Sequence, residues 1–516
     1  MLIKNSAPRR SLVVICLILF VTFLDNTIVS VVLSSVQSSL AVGVTDLQWI
    51  VDAYMLTFAV FMLSGGTLGD ILGRKKVMLS GLGLFVIGSL IAAVAGSVDI
   101  LIAGRVIMGL GAAASEPGTL SMIRQIYTDR QSRSRAFGVW AAVSGVALAC
   151  GPIIGGVIIG FSSWRGVFIF SMILGLVALI SGKFILPESS NSNTQKLDLL
   201  GLASGGISIS LVTIGLILGE NSGYSNPWII LLFCLSSLFM TLFIILEKHQ
   251  SNPVLPLQYF RKLPFMLANL VAFCINFSIF AVFFFVALYL QLIAGFSGYQ
   301  IAVAFVSMSA AIVLSATVSS RWNADHQTWP LFIIGSLIAA LGIFILSLII
   351  KPSVNSSELA WVLAISGIGF GICLVSMSFA ALSSVPATRS GMASSTVNTF
   401  RELGGVFGVA ILGSVVNGQL TASLSTKLQA LHLPNSFQAF VIYAITHGGH
   451  TPSNVRISIK ELASHASLIS KVTSDAYLAF GKGLVISLEI AVGLLVTCAI
   501  IIALGYRFKG LHSSST

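Results

Sequence analysis

Ionisable residues lie inside two of the long apolar runs in the first half of the sequence, at positions that matter for chemistry. Asp25 belongs to the apolar segment 11–33, and Arg105 and Glu116 share the segment 100–122. A charged side chain near the centre of a bilayer costs on the order of 2.5 to 3.5 kcal/mol even on a lenient insertion scale, so such residues usually face an aqueous cavity or a partner of opposite charge. A carboxylate in such a place can alternate between ionised and neutral forms. We therefore predict that Asp25 is a functional, proton-carrying group.

The depth of these side chains follows from the rise of about 1.5 Å per residue along a helix. Asp25 then lies roughly 9 Å, and Arg105 roughly 8 Å, from the same membrane surface, so an ion pair between them is geometrically allowed. Tyr54 lies at nearly the same level as Asp25, and Glu116 lies on the same helical stripe as Arg105. We predict a cavity that contains these four residues. The alternative is a buried ion pair that only orients helices.

A charged, glycine-rich segment separates the second and third apolar runs. It contains Gly69 and Asp70, followed by Gly73 and Arg74, and two lysines come directly after. Glycine permits unusual dihedral angles and close backbone approach. The segment is therefore predicted to be a tight turn between two helices at a membrane surface.

A second glycine-rich segment lies within an apolar run. Ala147, Gly151 and Gly155 recur every four residues, which is the spacing of small residues that lets helix backbones touch. Pro152 removes one backbone donor and predicts a bend in the helix. We interpret this segment, which ends with Gly156, as a close and kinked helix contact, with substrate contact as a secondary possibility.

The composition decides what kind of element positions these residues. Of the 516 residues, 56% are hydrophobic and only 9% are charged, which is typical of a polytopic membrane protein. The net charge of +11 does not indicate nucleic-acid binding, because the basic residues are scattered in short loops. Fourteen apolar runs are long enough to cross a bilayer core of about 30 Å. Their approximate limits are 11–33, 49–69, 77–96, 100–122, 136–160, 165–186, 199–219, 228–246, 265–290, 298–319, 330–350, 359–380, 391–416 and 483–505.

The orientation of the chain follows from the distribution of Lys and Arg. The N-terminal segment and every second loop after it are basic, whereas the short loops between them hold only Arg165 and Lys351. Positive loops are retained in the cytoplasm, so both termini are predicted to be cytoplasmic. The loop 417–482 is then external, and long loops translocate largely regardless of their charge. Its histidines lack the spacing of ligands, so we predict no metal site there.

Taken together, these motifs resemble the major facilitator superfamily, and more closely its fourteen-span drug:proton antiporter family of multidrug and quaternary-ammonium exporters. The resemblance covers most of the chain, although the second-half counterpart of the Gly69–Arg74 motif, near Ser319–Asp325, is degraded. The matching positions are Asp25, Trp49, Tyr54, Gly69, Asp70, Gly73, Arg74, Arg105, Gly109, Gly151, Pro152, Gly155, Gly156, Trp164, Arg165, Lys196, Asp198, Asn398, Arg401, Glu402, Gly404 and Gly405.

The resemblance implies an all-α integral membrane fold of fourteen transmembrane helices, with two six-helix bundles and two linker helices. The domains would be 11–186, the linker helices in 187–264, and 265–505 with the external loop 417–482. Gly69, Asp70, Gly73 and Arg74 would form a conformational latch, and Arg105 would take part in proton coupling. The Gly151–Gly156 motif is associated with antiport. Asn398, Arg401 and Glu402 would be cavity residues of the second half.

The implied function is export of lipophilic, cationic compounds in exchange for protons by alternating access. Acidic cavity residues would attract the cation, and phenylalanines of span nine, between Phe273 and Phe285, could offer apolar or cation–π surface. The same fold could instead export a metabolite, a lipid or a siderophore. A polytopic membrane enzyme is disfavoured because no nucleophile, general base or metal cluster stands near an interface. We predict no cofactor and no nucleic-acid partner. The expected partners are a small-molecule substrate, protons and the lipid bilayer of the cell membrane, and a monomer is favoured because one chain supplies both bundles.

Overall fold

The computed structural model describes most of the chain and is helical throughout its regular part. The described residues are 6–40, 42, 44–188, 198–250, 255, 257–296, 298–351, 354–430 and 466–513, and within these ranges there is no β-strand. The first eight helices are α1 (Ser6–Leu40), α2 (Val44–Leu72), α3 (Arg74–Ala93), α4 (Val98–Ile126), α5 (Arg130–Phe161), α6 (Arg165–Ile185), α7 (Leu199–Ser222) and α8 (Pro227–His249).

The second part of the chain begins with a short 3₁₀ turn, Leu257–Arg261. Helix α9 (Leu263–Ala281) continues without a break into a π-helical turn, Val282–Val286, and then into α10 (Ala287–Leu292). The remaining helices are α11 (Gly298–Asp325), α12 (Trp329–Ile349), α13 (Ser356–Ser383), α14 (Ser390–Ala430) and α15 (Ala466–Ser513).

The length and composition of these helices fit a membrane. Within the described residues, thirteen helices are long and apolar enough to cross a bilayer. The predicted fifth span is not one of the thirteen, but its helix α5 has 32 residues, and at about 1.5 Å per residue it is also long enough to cross. The predicted all-α integral membrane fold is thus confirmed.

Helix packing divides the molecule into two sets. Helices α1 to α6 pack among themselves, and α9 and α11 to α15 pack among themselves. Helices α7 and α8 pack side by side, and α7 contacts α2 of the first set and α14 of the second. The two sets meet where α2 and α4 contact α14, and where α5 contacts α11 and α13. We call α1 to α6 the first half and α9 to α15 the second half.

Helices α3 and α4 approach each other closely through glycines. A Cβ atom added at Gly88 would lie 2.6 Å from the backbone nitrogen of Met108, and one added at Gly81 would lie 2.6 Å from the carbonyl oxygen of Gly111. Only glycine allows backbones to pack at this distance. The contact fixes α4, which carries two of the predicted site residues, against its neighbour.

The predicted turn after the second span is very short. Helix α2 ends at Leu72 and α3 begins at Arg74, so Gly73 alone forms the break, with a φ of 103°. A residue with a side chain rarely adopts this left-handed region, so the position favours glycine. Because the break is a single residue, Asp70 and Arg74 remain about one helical turn apart.

Polar residues that precede helices act as N-caps. Ser97 accepts a hydrogen bond from the backbone N–H of Ile100, and Asp129 accepts one at 2.8 Å from the backbone N–H of Ser132. The bond to Ser132 lowers the pKa of the exposed Asp129 carboxyl. These caps explain why α4 and α5 begin where they do.

The helices on either side of the predicted external loop 417–482 extend into it. Helix α14 continues to Ala430, and α15 already begins at Ala466, so the described parts of 417–482 are helical. The reason is that Leu420, Leu424 and Leu428 recur every four residues and form one buried stripe beyond the predicted span. Residues 431–465, with His432, His447, His450 and His465, lie outside the described residues.

Candidate functional site

The first candidate site is an ion pair within the first half. The Arg105 guanidinium of α4 pairs with the Asp25 carboxylate of α1, and both side chains are fully buried. The Arg105 Nε atom also donates a hydrogen bond at 2.8 Å to the carbonyl oxygen of Ile50 in α2. One buried cation therefore joins three helices of the same half.

Tyr54 completes this pair. The Arg105 guanidinium lies over the Tyr54 ring, 4.4 Å from its centroid, which is within the range of a cation–π interaction. The Tyr54 hydroxyl donates a hydrogen bond at 3.1 Å to the carbonyl oxygen of Thr22 in α1. The structure thus brings three of the four predicted cavity residues, Asp25, Tyr54 and Arg105, to one place.

The fourth predicted residue belongs to a different cluster. Glu116 is 11 residues beyond Arg105, which is about 16 Å further along α4. Its carboxylate pairs with Arg401 of α14, at 2.5 Å between Oε1 and Nη2. Arg401 also lies 3.3 Å from Oε1 of its neighbour Glu402. All three side chains are buried, so this cluster is an ion network between the two halves.

Two aromatic rings of the first half lie against the cation of this network. The Arg401 guanidinium is 4.7 Å from the centroid of Phe23 and 5.6 Å from that of Trp140, and the two rings meet edge to face. The Trp140 Nε1 atom donates a hydrogen bond at 3.0 Å to Thr119, one turn beyond Glu116. The guanidinium therefore lies between carboxylates and aromatic faces.

Several polar atoms around this network have no partner among the described residues. They are Oε2 of Glu116, Nε and Nη1 of Arg401, and both polar side-chain atoms of Asn398, one turn before Arg401. Buried polar groups are rarely left without a hydrogen bond unless they serve a purpose. With both carboxylates ionised, the network carries one net negative charge. It can therefore take up a proton or a cationic group.

The predicted latch residues lie at the end of the bundle where the basic residues are concentrated, which we call the basic end. Asp70 accepts hydrogen bonds from the backbone N–H groups of Gly391 and Met392, at 3.0 and 2.9 Å, at the start of α14. Arg74 pairs with Asp70 at 2.9 Å and donates to the carbonyl oxygen of Ala387 at 3.0 Å. A carboxylate at a helix N-terminus is stabilised by the orphan amides there.

Glycines make this approach of the two halves possible. A Cβ at Gly391 would lie 2.5 Å from the carbonyl oxygen of Gly66, which places α14 almost in backbone contact with α2. Gly69, by contrast, has only Arg74 within ordinary contact distance of such a Cβ, at 3.8 Å. Gly66 and Gly391 are close-approach positions that the motif alone did not reveal.

The second glycine-rich motif approaches α1 closely at Gly151. A Cβ at Gly151 would collide with Thr27 and would lie 2.9 Å from the backbone nitrogen of Ile28. Gly155 is buried, whereas Gly156 is exposed and a Cβ there would meet nothing within 4 Å. Pro152 lies within the continuous helix α5. Gly151 therefore makes the close contact predicted for this motif. It packs against Ile28 of α1, which is three residues beyond Asp25.

Sequence reasoning missed the aromatic residues of the central network. Among the phenylalanines of span nine, Phe280 and Phe277 lie close to glycines of α14: a Cβ at Gly405 would meet the Phe280 ring and one at Gly408 the Phe277 backbone. Phe283 stacks on Phe305 of α11. Phe23 and Trp140 lie beside Arg401 instead. A tryptophan inside a predicted span, two turns before the small-residue motif that begins at Ala147, was a usable signal. Within the described ranges, no three His, Cys, Asp or Glu residues are placed to hold a metal ion.

Comparison with known proteins gives one consistent result. The sequence model of the Major Facilitator Superfamily matches residues 15–409. The chain is 30% identical to the methylenomycin A resistance protein of Bacillus subtilis over 413 residues, which are 80% of this chain and 88% of that protein. It is also 30% identical to the multidrug resistance protein Stp of Mycobacterium tuberculosis, over 86% of this chain and 82% of that protein.

A solved structure supports the fold at a lower level of identity. The proton:xylose symporter XylE superposes with a TM-score of 0.57 at 15% sequence identity, and the match covers 94% of this chain and 95% of that one. At this identity the likeness concerns the fold alone. It extends over nearly all of the chain.

Proposed function

The chain belongs to the major facilitator superfamily, and we propose that it is a secondary active transporter that exports lipophilic, cationic compounds in exchange for protons. The sequence relatives are resistance proteins, one of them for multiple drugs, and their names support a drug as cargo. The observation that carries the proton coupling is the buried pair of Asp25 and Arg105. Such a pair within a membrane is retained for function more often than for stability.

The chemistry of this pair gives a mechanism for coupling. Protonation of Asp25 removes the negative charge that faces Arg105, while the guanidinium keeps the Ile50 carbonyl and the Tyr54 ring as partners. The cost of burying the pair therefore changes with each proton that binds. This change is a source of free energy that favours one conformation over the other.

The arrangement of the helices in two halves provides for alternating access. We assign the first bundle to 11–186 and the second to 265–505, with helices of 187–264 as a linker that packs on both. The basic end is the cytoplasmic end, because positive loops are retained there, and both termini are cytoplasmic. The contacts of Asp70 and Arg74 with the start of α14 close this end. One chain supplies both bundles, so the transporter functions as a monomer.

The cationic character of the cargo rests on the network between the halves. The two carboxylates of Glu116 and Glu402 carry one more charge than the single guanidinium of Arg401. Phe23 and Trp140 place aromatic faces beside that guanidinium. A lipophilic cation satisfies both kinds of partner. A metabolite, lipid or siderophore exporter on the same fold is the second candidate, because the fold does not determine the cargo.

Transport by purified protein in liposomes tests the proposal. An imposed proton gradient should drive accumulation of a lipophilic cationic dye, a protonophore should abolish it, and Asp25→Asn should reduce it to the level of empty liposomes. Asp99→Asn is the matched control, since it makes the same chemical change at an exposed position of α4. If the gradient moves no dye of a panel, or if Asp25→Asn transports as well as the wild type, the proposed coupling is wrong.

A further inference from the structure

A large cavity opens at the basic end, away from the two ion networks. Its volume is about 990 Å³, and its wall combines residues of α5 in the first half with residues of α9, α12, α13 and α15 in the second. The basic residues of this wall are Arg130, Arg133, Arg261 and Lys262, and no described residue of the wall is acidic. We call these four residues the basic cluster.

The hydrogen bonds and ring contacts of the basic cluster are made to neutral groups. The guanidinium groups of Arg130 and Arg133 lie 5.6 and 5.8 Å from the centroid of the same ring, that of Phe379. Arg130 donates hydrogen bonds to the carbonyl oxygens of Asn323 and His326 at the end of α11, at 3.1 and 2.8 Å for Nη2. These partners are neutral, and the acidic group that acts on Arg133 is the exposed Asp129 carboxylate before α5, which is not part of the wall.

The other side of the cavity is similar. Lys262 donates to the carbonyl oxygen of Ser384 at 2.9 Å and lies over the Tyr259 ring at 5.2 Å. Among the described residues, no hydrogen bond or salt bridge reaches the side chain of Arg133 or of Arg261. Burial, together with the charge of the neighbouring Arg130, lowers the pKa of Arg133. Like charges are therefore crowded around a space large enough for a ligand.

The position of the cavity indicates where its ligand comes from. Trp329 and Tyr506 stack on each other at 5.1 Å between ring centroids and belong to the same wall. Trp and Tyr are typical of the membrane–water interface, at the level of lipid headgroups. Basic pockets between transmembrane helices on the cytoplasmic side are suited to phosphate-bearing headgroups.

The geometry points to a binding site for a phosphate anion, occupied by the headgroup of an acidic phospholipid between the basic cluster and the Trp329–Tyr506 pair. The wall of the site contains no residue of the two ion networks, and the proposal does not depend on the identity of the cargo. An anion bound to Arg133 of the first half and to Arg261, in the 3₁₀ turn that leads into α9, would connect the first half to the start of the second at this end. Acidic lipid should therefore favour the conformation in which the basic end is closed.

The test measures lipid binding to the purified full-length protein in a neutral detergent. Phosphatidylglycerol should remain bound in native mass spectrometry and raise the melting temperature, whereas phosphatidylcholine should do neither. The double variant Arg133→Gln/Arg261→Gln should bind phosphatidylglycerol at least about tenfold more weakly, because each basic side chain near an anionic lipid contributes about 1 kcal/mol.

Three controls make the result decisive. Arg321→Gln removes the same charge from an exposed position outside the cavity and should bind like the wild type. Arg133→Lys/Arg261→Lys keeps the charges and should retain binding. The melting temperature without lipid shows whether each variant is folded, and the preference of the wild type for phosphatidylglycerol is tested without any substitution.

Two outcomes would overturn the proposal. Equal binding of phosphatidylglycerol by the wild type and the folded double Gln variant would show that the basic cluster is not the site, as would equal binding of phosphatidylcholine and phosphatidylglycerol by the wild type. Inorganic phosphate is tested in parallel at matched concentration. If it stabilises the wild type as well as the lipid does, the assignment to a lipid is wrong and the ligand is a soluble phosphate.

Discussion

Helix α4 carries two buried ion pairs that differ in what they connect. Arg105 pairs with Asp25 of α1, so this pair lies within the first half. Glu116 pairs with Arg401 of α14, so this pair joins the first half to the second. The two pairs are about 16 Å apart along the helix.

The difference matters because the halves move relative to each other in alternating access. A pair within one half keeps its partners while that half moves as a rigid body, so what changes for Asp25 between conformations is its access to water and with it the cost of burying its charge. A pair between the halves must loosen whenever the halves separate at its level. We therefore propose that Asp25 and Arg105 couple transport to protons, and that Glu116 and Arg401, besides facing the cargo, stabilise one conformation.

The largest effect is expected from Arg105→Ala. This change leaves the Asp25 carboxylate buried without its cation, and breaking a buried pair in this way costs about 3 to 5 kcal/mol. Transport should be lost and the melting temperature in detergent should fall. Arg105→Ala/Asp25→Asn should recover stability but not transport, because it removes the uncompensated charge together with the titratable group.

Arg321→Ala is the control for this prediction, since it removes an exposed arginine. An Arg105→Ala variant that melts at the same temperature as the wild type would contradict the claim that Asp25 is left as an uncompensated buried charge. A double variant no more stable than the single one would contradict it as well.

A smaller effect is expected from Asp70→Asn, which weakens the contact between the halves at the basic end. The carboxylate of Asp70 accepts two backbone N–H bonds from α14 and pairs with Arg74. Hydrogen bonds to charged groups contribute about 1.5 to 3 kcal/mol, so turnover should fall on the order of tenfold. Equilibrium binding of the dye should change little, because Asp70 lies far from both ion networks along the helices.

Dye binding by fluorescence anisotropy and turnover in liposomes separate these two quantities. Asp99→Asn serves again as the exposed control. Loss of binding with unchanged turnover per bound dye would contradict the interpretation of Asp70 as a latch.

Local properties of the sequence were sufficient for much of this picture. Apolar run lengths predicted the helices, and the depth of Asp25 and Arg105 along their spans placed them at one level. The glycine at position 73 predicted the break between α2 and α3, where its φ of 103° is observed. Each of these inferences needs only the geometry of a single helix or turn.

Other features depend on tertiary structure and could not be predicted in this way. Glu116 and Arg401 are 285 residues apart in the sequence, and no local pattern indicates that they meet. The continuation of α14 to Ala430 depends on a leucine stripe that is buried only because neighbouring helices cover it. The basic cluster combines Arg130 and Arg133 at the start of α5 with Arg261 and Lys262 just before α9, and no local pattern in the sequence indicates that these positions meet.

The measurement that tests the central claim most directly compares Asp25→Asn with Glu116→Gln in liposomes. For each variant, exchange of labelled dye without a proton gradient is measured beside the accumulation that a gradient drives. We predict that Asp25→Asn retains exchange but loses accumulation, because its site no longer titrates. Glu116→Gln should slow both several-fold and keep the accumulation ratio at equilibrium. The opposite result, in which Asp25→Asn accumulates dye normally while Glu116→Gln exchanges without accumulating, would contradict the assignment of the two pairs.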